Sequence, residues 1–250
     1  MIPVKSLVLS LPSPRPLRLA DAALFLDLDG TLAPIAARPQ DVLPDSRRTR
    51  LLERLADGLD GRLAVVSGRT LADVDRILEG RVTCVSAVHG LVRRDRDGAL
   101  HEPAPHPGLA PAVAALHLFA ARDPGLLVEE KGQSVALHFR LARPRAAEAR
   151  TLAQRLAAET GLSLQEGDMV EELRTPGPSK GDAVRHFMES EGFRGATPVF
   201  VGDDVTDENG FAEVARLKGF GVLVGRPRRT HARFGLRTVE DVMTWLEAAQ

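Results

Sequence analysis

The stretch Phe25-Leu26-Asp27-Leu28-Asp29-Gly30-Thr31 decides the fold that the sequence predicts. It ends an apolar run that begins at Ala22, as is typical of a buried strand in a parallel sheet, and Gly30 then turns the chain away. In open α/β sheets, ligands bind beyond the carboxyl ends of such strands. Asp27 and Asp29 are one residue apart, so in an extended segment their side chains point the same way.

This pair of carboxylates indicates a chemical role. Two acids so close repel each other unless a cation lies between them, and carboxylate oxygens suit a hard divalent ion. One carboxylate is then placed to act as a nucleophile and the other as an acid or base. The alternative is a simple polar turn at the strand end, because Asp-Gly is a common turn dipeptide.

Composition sets mild limits on function. The chain has 250 residues with 33 basic and 34 acidic side chains, and its net charge of -1 does not favour a nucleic-acid or membrane partner. Its single cysteine, Cys84, excludes an internal disulfide and is compatible with a reducing compartment. A cytoplasmic location is compatible with this composition. We expect the protein to be a monomer that acts on a small molecule.

The N-terminal segment does not resemble a targeting or membrane segment. Its apolar patch, residues 6–11, is interrupted by Pro12 and is too short for a signal peptide or a membrane span. We expect residues 1–20 to form a loosely held tail.

Alternating strands and helices predict the main architecture. Residues 22–26 and 63–66 read as buried strands, and residues 45–57 and 71–78 as the helices that follow them. Further strands are expected at 82–88, 198–201 and 221–224, a hairpin at 91–100, and helices at 179–189 and 239–249. This order is typical of a doubly wound parallel sheet, a Rossmann-like α/β fold.

The alternation breaks in the middle of the chain. A proline-rich linker at 101–108 precedes two expected helices, at 111–122 and 145–159, and two strand-like segments, at 126–141 and 162–173. Val135, Leu137 and Phe139 alternate with Ser134, Ala136 and His138, which predicts a half-exposed antiparallel strand. We therefore expect a core domain (21–105 and 174–250) with a smaller α+β cap domain (106–173) inserted.

Four polar clusters stand at predicted strand ends or helix starts of the core sheet. They are Asp27 with Asp29, Ser67, Lys180, and Asp203 with Asp204 and Asp207. Each alone has an ordinary interpretation as a turn, a solvated lysine or a helix cap. Together they supply acids for a divalent ion, a hydroxyl and a cation, an inventory that favours phosphoryl transfer.

These clusters resemble the four motifs of the haloacid dehalogenase (HAD) superfamily of phosphatases. Three longer stretches are similar to the trehalose-6-phosphate phosphatase family in particular, and the resemblance extends from about Leu24 to Val224. The stretches are Ser67-Gly68-Arg69, the segment 129–134 continuing to His138-Phe139-Arg140, and the segment 202–208. One departure is at Ala87-Val88, where the family has smaller residues before the histidine.

The resemblance implies a role for each matching residue in the core. Asp27 is the implied nucleophile, and Asp29 the acid that protonates the leaving oxygen and later activates water. Mg²⁺ is the implied cofactor, held by Asp27, Asp203 and the backbone carbonyl of Asp29. Asp204 is implied either to bind the ion directly or to contact one of its ligands. Ser67 and Lys180 are implied to grip the phosphate and are counted among the catalytic residues.

The resemblance also implies a set of substrate contacts. The implied contacts are Thr31, Ser67, Gly68, Arg69, Glu129 or Glu130, Lys131, Glu172 and Lys180. The alternative for the cap members of this set is that they are charged residues on a solvated hairpin.

Three functions follow from these observations. The first is an Mg²⁺-dependent phosphatase that converts trehalose 6-phosphate to trehalose and phosphate. The second keeps the chemistry but uses another sugar phosphate, such as sucrose phosphate or mannosyl-3-phosphoglycerate. The third is a non-catalytic sugar-phosphate-binding module, against which the adjacent carboxylates Asp27 and Asp29 argue.

Overall fold

A computed structural model describes residues 11–250. These residues form seven α-helices and twelve strands, and the strands are arranged in two sheets. The strands are β1 (Ala22–Leu26), β2 (Leu63–Val66), β3 (Cys84–Ala87), β4 (Val92–Arg94), β5 (Leu100–His101), β6 (Leu127–Glu130), β7 (Ser134–His138), β8 (Ser163–Gly167), β9 (Val170–Arg174), β10 (Thr197–Gly202), β11 (Phe220–Val224) and β12 (Phe234–Leu236). The helices are α1 (Ser46–Gly58), α2 (Leu71–Leu78), α3 (Leu109–Ala120), α4 (Ala146–Thr160), α5 (Lys180–Glu189), α6 (Glu208–Arg216) and α7 (Val239–Glu247).

The larger sheet has the order β12-β11-β10-β1-β2-β3-β4-β5. Its strands from β12 to β3 pair in parallel, and β4 and β5 add an antiparallel hairpin at one edge. Helices cover both faces because the strands are apolar on both sides: Leu24 and Leu26 pack with residues of α1, α2 and α7, whereas Phe25 packs with residues of α5 and α6. The predicted doubly wound α/β fold is confirmed.

A separate antiparallel sheet, β6-β7-β9-β8, comes from the middle of the chain. Helices α3 and α4 cover one face of it, where Val135 and Leu137 are fully buried. The other face was predicted to be exposed, and that prediction is wrong, because Ser134 and Ala136 are 2% and 0% exposed. This face lies against the larger sheet's domain, which excludes solvent from it. We call the two parts core and cap, and the domain bounds given above stay a prediction.

The N-terminal segment is also better held than predicted. The backbone carbonyl of Pro12 accepts a hydrogen bond from Gly235 (3.0 Å), and that of Arg15 accepts one from the indole of Trp245 (2.8 Å). Leu17 and Leu19 are buried in the main hydrophobic cluster, so residues 11–20 are not a loose tail. Residues 1–10 of the expected tail lie outside the described residues. Within the described part of the chain, no helix is both long and apolar enough to span a bilayer.

Candidate active site

Lys180 connects two acids at the carboxyl end of the core sheet. Its Nζ lies 2.9 Å from Oδ1 of Asp27, which follows β1, and 2.6 Å from Oδ1 of Asp207. Ser179 caps α5 through a reciprocal pair of bonds with Asp182, and this places Lys180 in the first turn. Burial alone would lower the pKa of Lys180, but the two carboxylates outweigh it and raise the pKa, so the ammonium stays charged.

Asp207 has a larger part in this site than the sequence indicated. Its side chain is fully buried, and Oδ2 accepts hydrogen bonds from the backbone amides of Asp203 and Asp204, both at 2.9 Å. Gly202 leaves room for it, since a Cβ there would lie 2.4 Å from the Asp207 carboxyl. Asp207 therefore fixes both Lys180 and the loop that follows β10.

The acids at this end of the sheet fit a divalent cation. Asp27, Asp203 and Asp207 each contribute one carboxylate oxygen to a group whose members lie within 4.8 Å of one another. Burial and the neighbouring carboxylates raise the pKa of Asp203 to about 7, and burial raises that of Asp27 despite Lys180. Crowded acids with one ammonium have an excess of negative charge, which a hard cation would neutralise.

Asp204 and Thr31 lie elsewhere than the sequence predicted. Oδ1 of Asp204 accepts from the next amide, Val205 N (2.7 Å), and thus caps the short turn after β10, so the structure does not bring its carboxylate into the acid group. Thr31 was predicted to contact substrate. Its side chain is fully buried, its hydroxyl points to Asp203 Oδ1 at 3.4 Å, and it does not line the cleft, so its contact with substrate stays a prediction. The turn at Gly30 (φ +79°) leaves Thr31 behind the Asp203 carboxylate.

Arg69 holds the second acid of the opening motif. Its Nε and Nη2 donate to the two oxygens of Asp29 at 2.6 and 2.7 Å, and Nη1 donates to the carbonyl of Pro39 at 2.8 Å. A bidentate pair of this kind fixes the carboxylate in distance and orientation. Arg69 was expected to contact substrate, and although it lines the cleft, three of its donor groups are already directed at protein oxygens. The sequence did not predict this pair.

Ser67 and Gly68 lie opposite Asp27, at the end of β2. The Ser67 side chain is buried, and its Oγ accepts from the amide of Arg69 at 3.2 Å. The carbonyl of Gly68 accepts from Lys131 of the cap at 3.0 Å. This segment therefore meets both the catalytic acids and the cap.

The cap contributes a second charged cluster to the same cleft. Lys131 Nζ lies 2.8 Å from Oε2 of Glu172, and the hydroxyl of Ser134 donates to Oε1 at 2.5 Å. His89 of the core lies 3.4 Å from Oε2. Burial opposes ionisation of Glu172, but Lys131 and His89 hold its pKa well below the ordinary value. Lys131 and Glu172 are 7% and 6% exposed, which excludes a solvated hairpin.

Glu129 and Glu130, the alternative substrate contacts, lie on opposite faces of strand β6. Glu129 faces the cleft, where Oε2 lies 2.7 Å from His138 Nε2. Glu130 points to the opposite face, with a side chain that is 58% exposed and lies 2.8 Å from His117 Nε2. Because successive strand residues alternate faces, only one of them can face the cleft, and the structure places Glu129 there and Glu130 outside it.

Core and cap together line a cleft of about 210 Å³. Of the predicted site residues, it brings together eleven: Asp27, Asp29, Ser67, Gly68, Arg69, Glu129, Lys131, Glu172, Lys180, Asp203 and Asp204. His89, His138 and Arg140 also line it and were not predicted as site residues. The phosphate-binding and sugar-binding candidates thus face one cleft.

Comparison with known proteins agrees with this arrangement. The family model described as trehalose-phosphatase matches residues 25–236. The chain belongs to the trehalose-phosphatase family. It is 40% identical over 230 residues to trehalose-6-phosphate phosphatase of Escherichia coli (strain K12), covering 91% of this chain and 86% of that protein. It is also 38% identical over 207 residues to a probable trehalose-phosphate phosphatase of Sinorhizobium fredii, covering 82% and 78%.

A solved structure supports the fold. The trehalose-6-phosphate phosphatase C-terminal domain of C. albicans superimposes with a TM-score of 0.82 over 94% of this chain and 96% of that one, at 19% identity. The predicted membership of the trehalose-phosphatase family is confirmed, and so is the predicted enzyme class, a phosphoric monoester hydrolase. The acid group is consistent with the divalent metal that the resemblance to HAD phosphatases implies.

Replacing Asp207 and Asp204 separately tests which acid supports the site. Asp207→Asn should lower kcat at least about 100-fold and the free energy of unfolding by about 3 kcal/mol, because it removes a charge from a buried network. Asp204→Asn, the matched control, should lower kcat less than about tenfold. Phosphate release and urea denaturation measure both. Equal losses in the two variants would contradict the assignment of the supporting role to Asp207.

Proposed function

We propose that this chain hydrolyses trehalose 6-phosphate to trehalose and phosphate, as a step of trehalose biosynthesis. The observation that carries the proposal is the shared cavity, in which Asp27 and Lys180 of the core face Lys131 and Glu172 of the cap. The first set suits a phosphate, and the second suits the hydroxyls of a sugar. The Escherichia coli relative is named trehalose-6-phosphate phosphatase, an activity that requires both a phosphate site and a sugar site.

The core residues account for the phosphoryl chemistry. A carboxylate oxygen of Asp27 attacks phosphorus, the bond to the sugar oxygen breaks, and Asp29 donates a proton to that leaving oxygen. Asp29 then takes a proton from a water molecule, which attacks the aspartyl-phosphate and releases phosphate and free Asp27. Lys180 and Ser67 offset the negative charge on the phosphoryl oxygens. Arg69 keeps Asp29 in place throughout.

We propose Mg²⁺ as the cation of the acid group. Asp27, Asp203 and the backbone carbonyl of Asp29 would hold it, with Asp204 at the rim and Asp207 fixing the loop behind. When bound, the ion supplies positive charge to the phosphate and to the carboxylates that face it. Thr31, which donates to Asp203, orients one of these ligands.

The cap residues account for recognition of the sugar. Lys131, Glu172 and Glu129 form the charged set that would bind hydroxyl groups, and each is buried or half-buried in the cleft. A buried polar group gives strong selectivity, because a substrate without the matching hydroxyl leaves it unpaired. A cytoplasmic monomer acting on this small substrate is the form of the protein that we propose.

Phosphate release across a panel of sugar phosphates tests the proposed function. With Mg²⁺ present, kcat/KM for trehalose 6-phosphate should exceed that for sucrose phosphate and mannosyl-3-phosphoglycerate at least about tenfold, because a substrate whose hydroxyls do not reach the cap charges would leave buried polar groups unpaired. EDTA should abolish release and Mg²⁺ should restore it. Preference for another sugar phosphate would reassign the substrate, and full activity in a verified metal-free preparation would exclude the metal.

Removal of the cap charges separates sugar recognition from phosphoryl chemistry. Lys131→Ala and Glu172→Ala should each lower the ratio of kcat/KM for trehalose 6-phosphate to that for p-nitrophenyl phosphate at least about tenfold, since the aryl group has no hydroxyls to pair. Glu130→Ala, on the outer face of β6, is the matched control and should leave this ratio within about twofold. An unchanged ratio in the first two variants would contradict a sugar-binding role.

A further inference from the structure

His89 lies at the point where the core meets the cap carboxylate Glu172. Its backbone is left-handed, as is that of the preceding residue: Val88 has φ 46° and His89 has φ 57°. A β-branched residue with positive φ is a genuine outlier, and such strain persists only where the surroundings enforce it. Here the amide of Val88 donates to the carbonyl of Arg69, and the amide of His89 to that of Ser67, both at 2.9 Å.

Gly68 and Gly90 allow other segments to pack closely against this turn. Gly90 (φ 113°) lies against the loop before α5, since a Cβ there would lie 2.5 Å from the carbonyl oxygen of Ser179. The imidazole of His89 lies over Gly68, where a Cβ would meet Nε2 and Cε1 at 2.3 Å. The strained turn therefore places one ring between the two segments that carry Ser67 and Lys180.

The ring is directed at the cap. Nε2 lies 3.4 Å from Oε2 of Glu172, and the side chain is 12% exposed. Burial is the main cause that lowers the pKa of His89, so the ring is neutral at neutral pH, while Glu172 is ionised. An ionised carboxylate only accepts hydrogen bonds, so the hydrogen of the neutral ring belongs on Nε2. Nδ1 is then the acceptor nitrogen, and it is buried without a partner among residues 11–250.

We propose that His89 is a positioning residue for sugar recognition: its Nε2–H, which faces Oε2 at 3.4 Å, orients the Glu172 carboxylate toward a substrate hydroxyl. The inference rests on the proposed function. Glu172 receives hydrogen bonds from Ser134 on one oxygen and from Lys131 on the other, both within the cap. His89 is a core residue in direct contact with this carboxylate, whereas Lys131 relates it to the core through its bond to the Gly68 carbonyl. The His89 contact explains why a strained backbone is kept at this position.

Two substitutions at His89 distinguish this role from a backbone role. Asparagine suits a left-handed backbone better than glutamine does, so a purely conformational role predicts that His89→Asn retains more function than His89→Gln. The amide nitrogen of glutamine extends about as far as Nε2, whereas that of asparagine extends only as far as Nδ1. A donor role therefore predicts the opposite order.

The readout is the ratio of kcat/KM for trehalose 6-phosphate to that for p-nitrophenyl phosphate. We expect this ratio to fall at least about tenfold in His89→Asn and to stay within about threefold of wild type in His89→Gln. A ratio in His89→Asn equal to or above that in His89→Gln would overturn the proposal. Circular dichroism and thermal unfolding establish that each variant is folded.

A measurement on the unmodified protein keeps the proposal testable if His89→Asn does not fold. Long-range ¹H–¹⁵N NMR spectra, with the His89 signal assigned by its loss in His89→Gln, should show the Nε2–H tautomer. A hydrogen on Nδ1 alone would overturn the proposal. Wild-type enzyme that hydrolyses both substrates equally well would overturn the proposed function together with this inference. A wild-type preference for the sugar phosphate with the wrong order of variants would overturn this inference alone.

Discussion

The structure of the site depends on one buried ion pair network, in which the ammonium of Lys180 lies between Asp27 and Asp207. These acids come from distant parts of the chain, since Lys180 is 153 residues from Asp27 and 27 from Asp207. A buried carboxylate without a partner is costly, so acids at a sheet edge require a cation that is equally well fixed. The capped start of α5 supplies it, and Asp207 in turn orders the loop that carries Asp203.

Core and cap carry different parts of the site. The groups suited to phosphoryl transfer lie on strand ends and a helix start, which are rigid elements. The groups suited to a sugar lie on the cap sheet, where Lys131 also donates to Gly68 of the core. The contact between cap and core brings the two sets of residues to one cleft, where partial burial strengthens their charged interactions.

The sequence predicts the strand-end acids because their signal is local. An apolar run followed by Asp27 and Asp29 requires only strand periodicity to interpret. The cap shows the limit of that reasoning: periodicity says that Glu129 and Glu130 face opposite sides, but which side meets the core depends on tertiary contacts. For the same reason Ser134, which has a polar side chain on the core-facing side, was wrongly expected to be exposed. The Asp29–Arg69 pair and the left-handed His89 also depend on contacts between distant segments.

The central claim is that Asp27, fixed by Lys180, accepts the phosphoryl group. Acid quenching during steady-state turnover of trehalose 6-phosphate, followed by peptide mass spectrometry, tests it most directly. We expect a phosphorylated peptide with the modification on Asp27 in the wild-type protein, and neither phosphopeptide nor turnover in folded Asp27→Asn. Steady-state turnover by that variant, or a phosphoryl group on another residue of the wild-type protein, would contradict it.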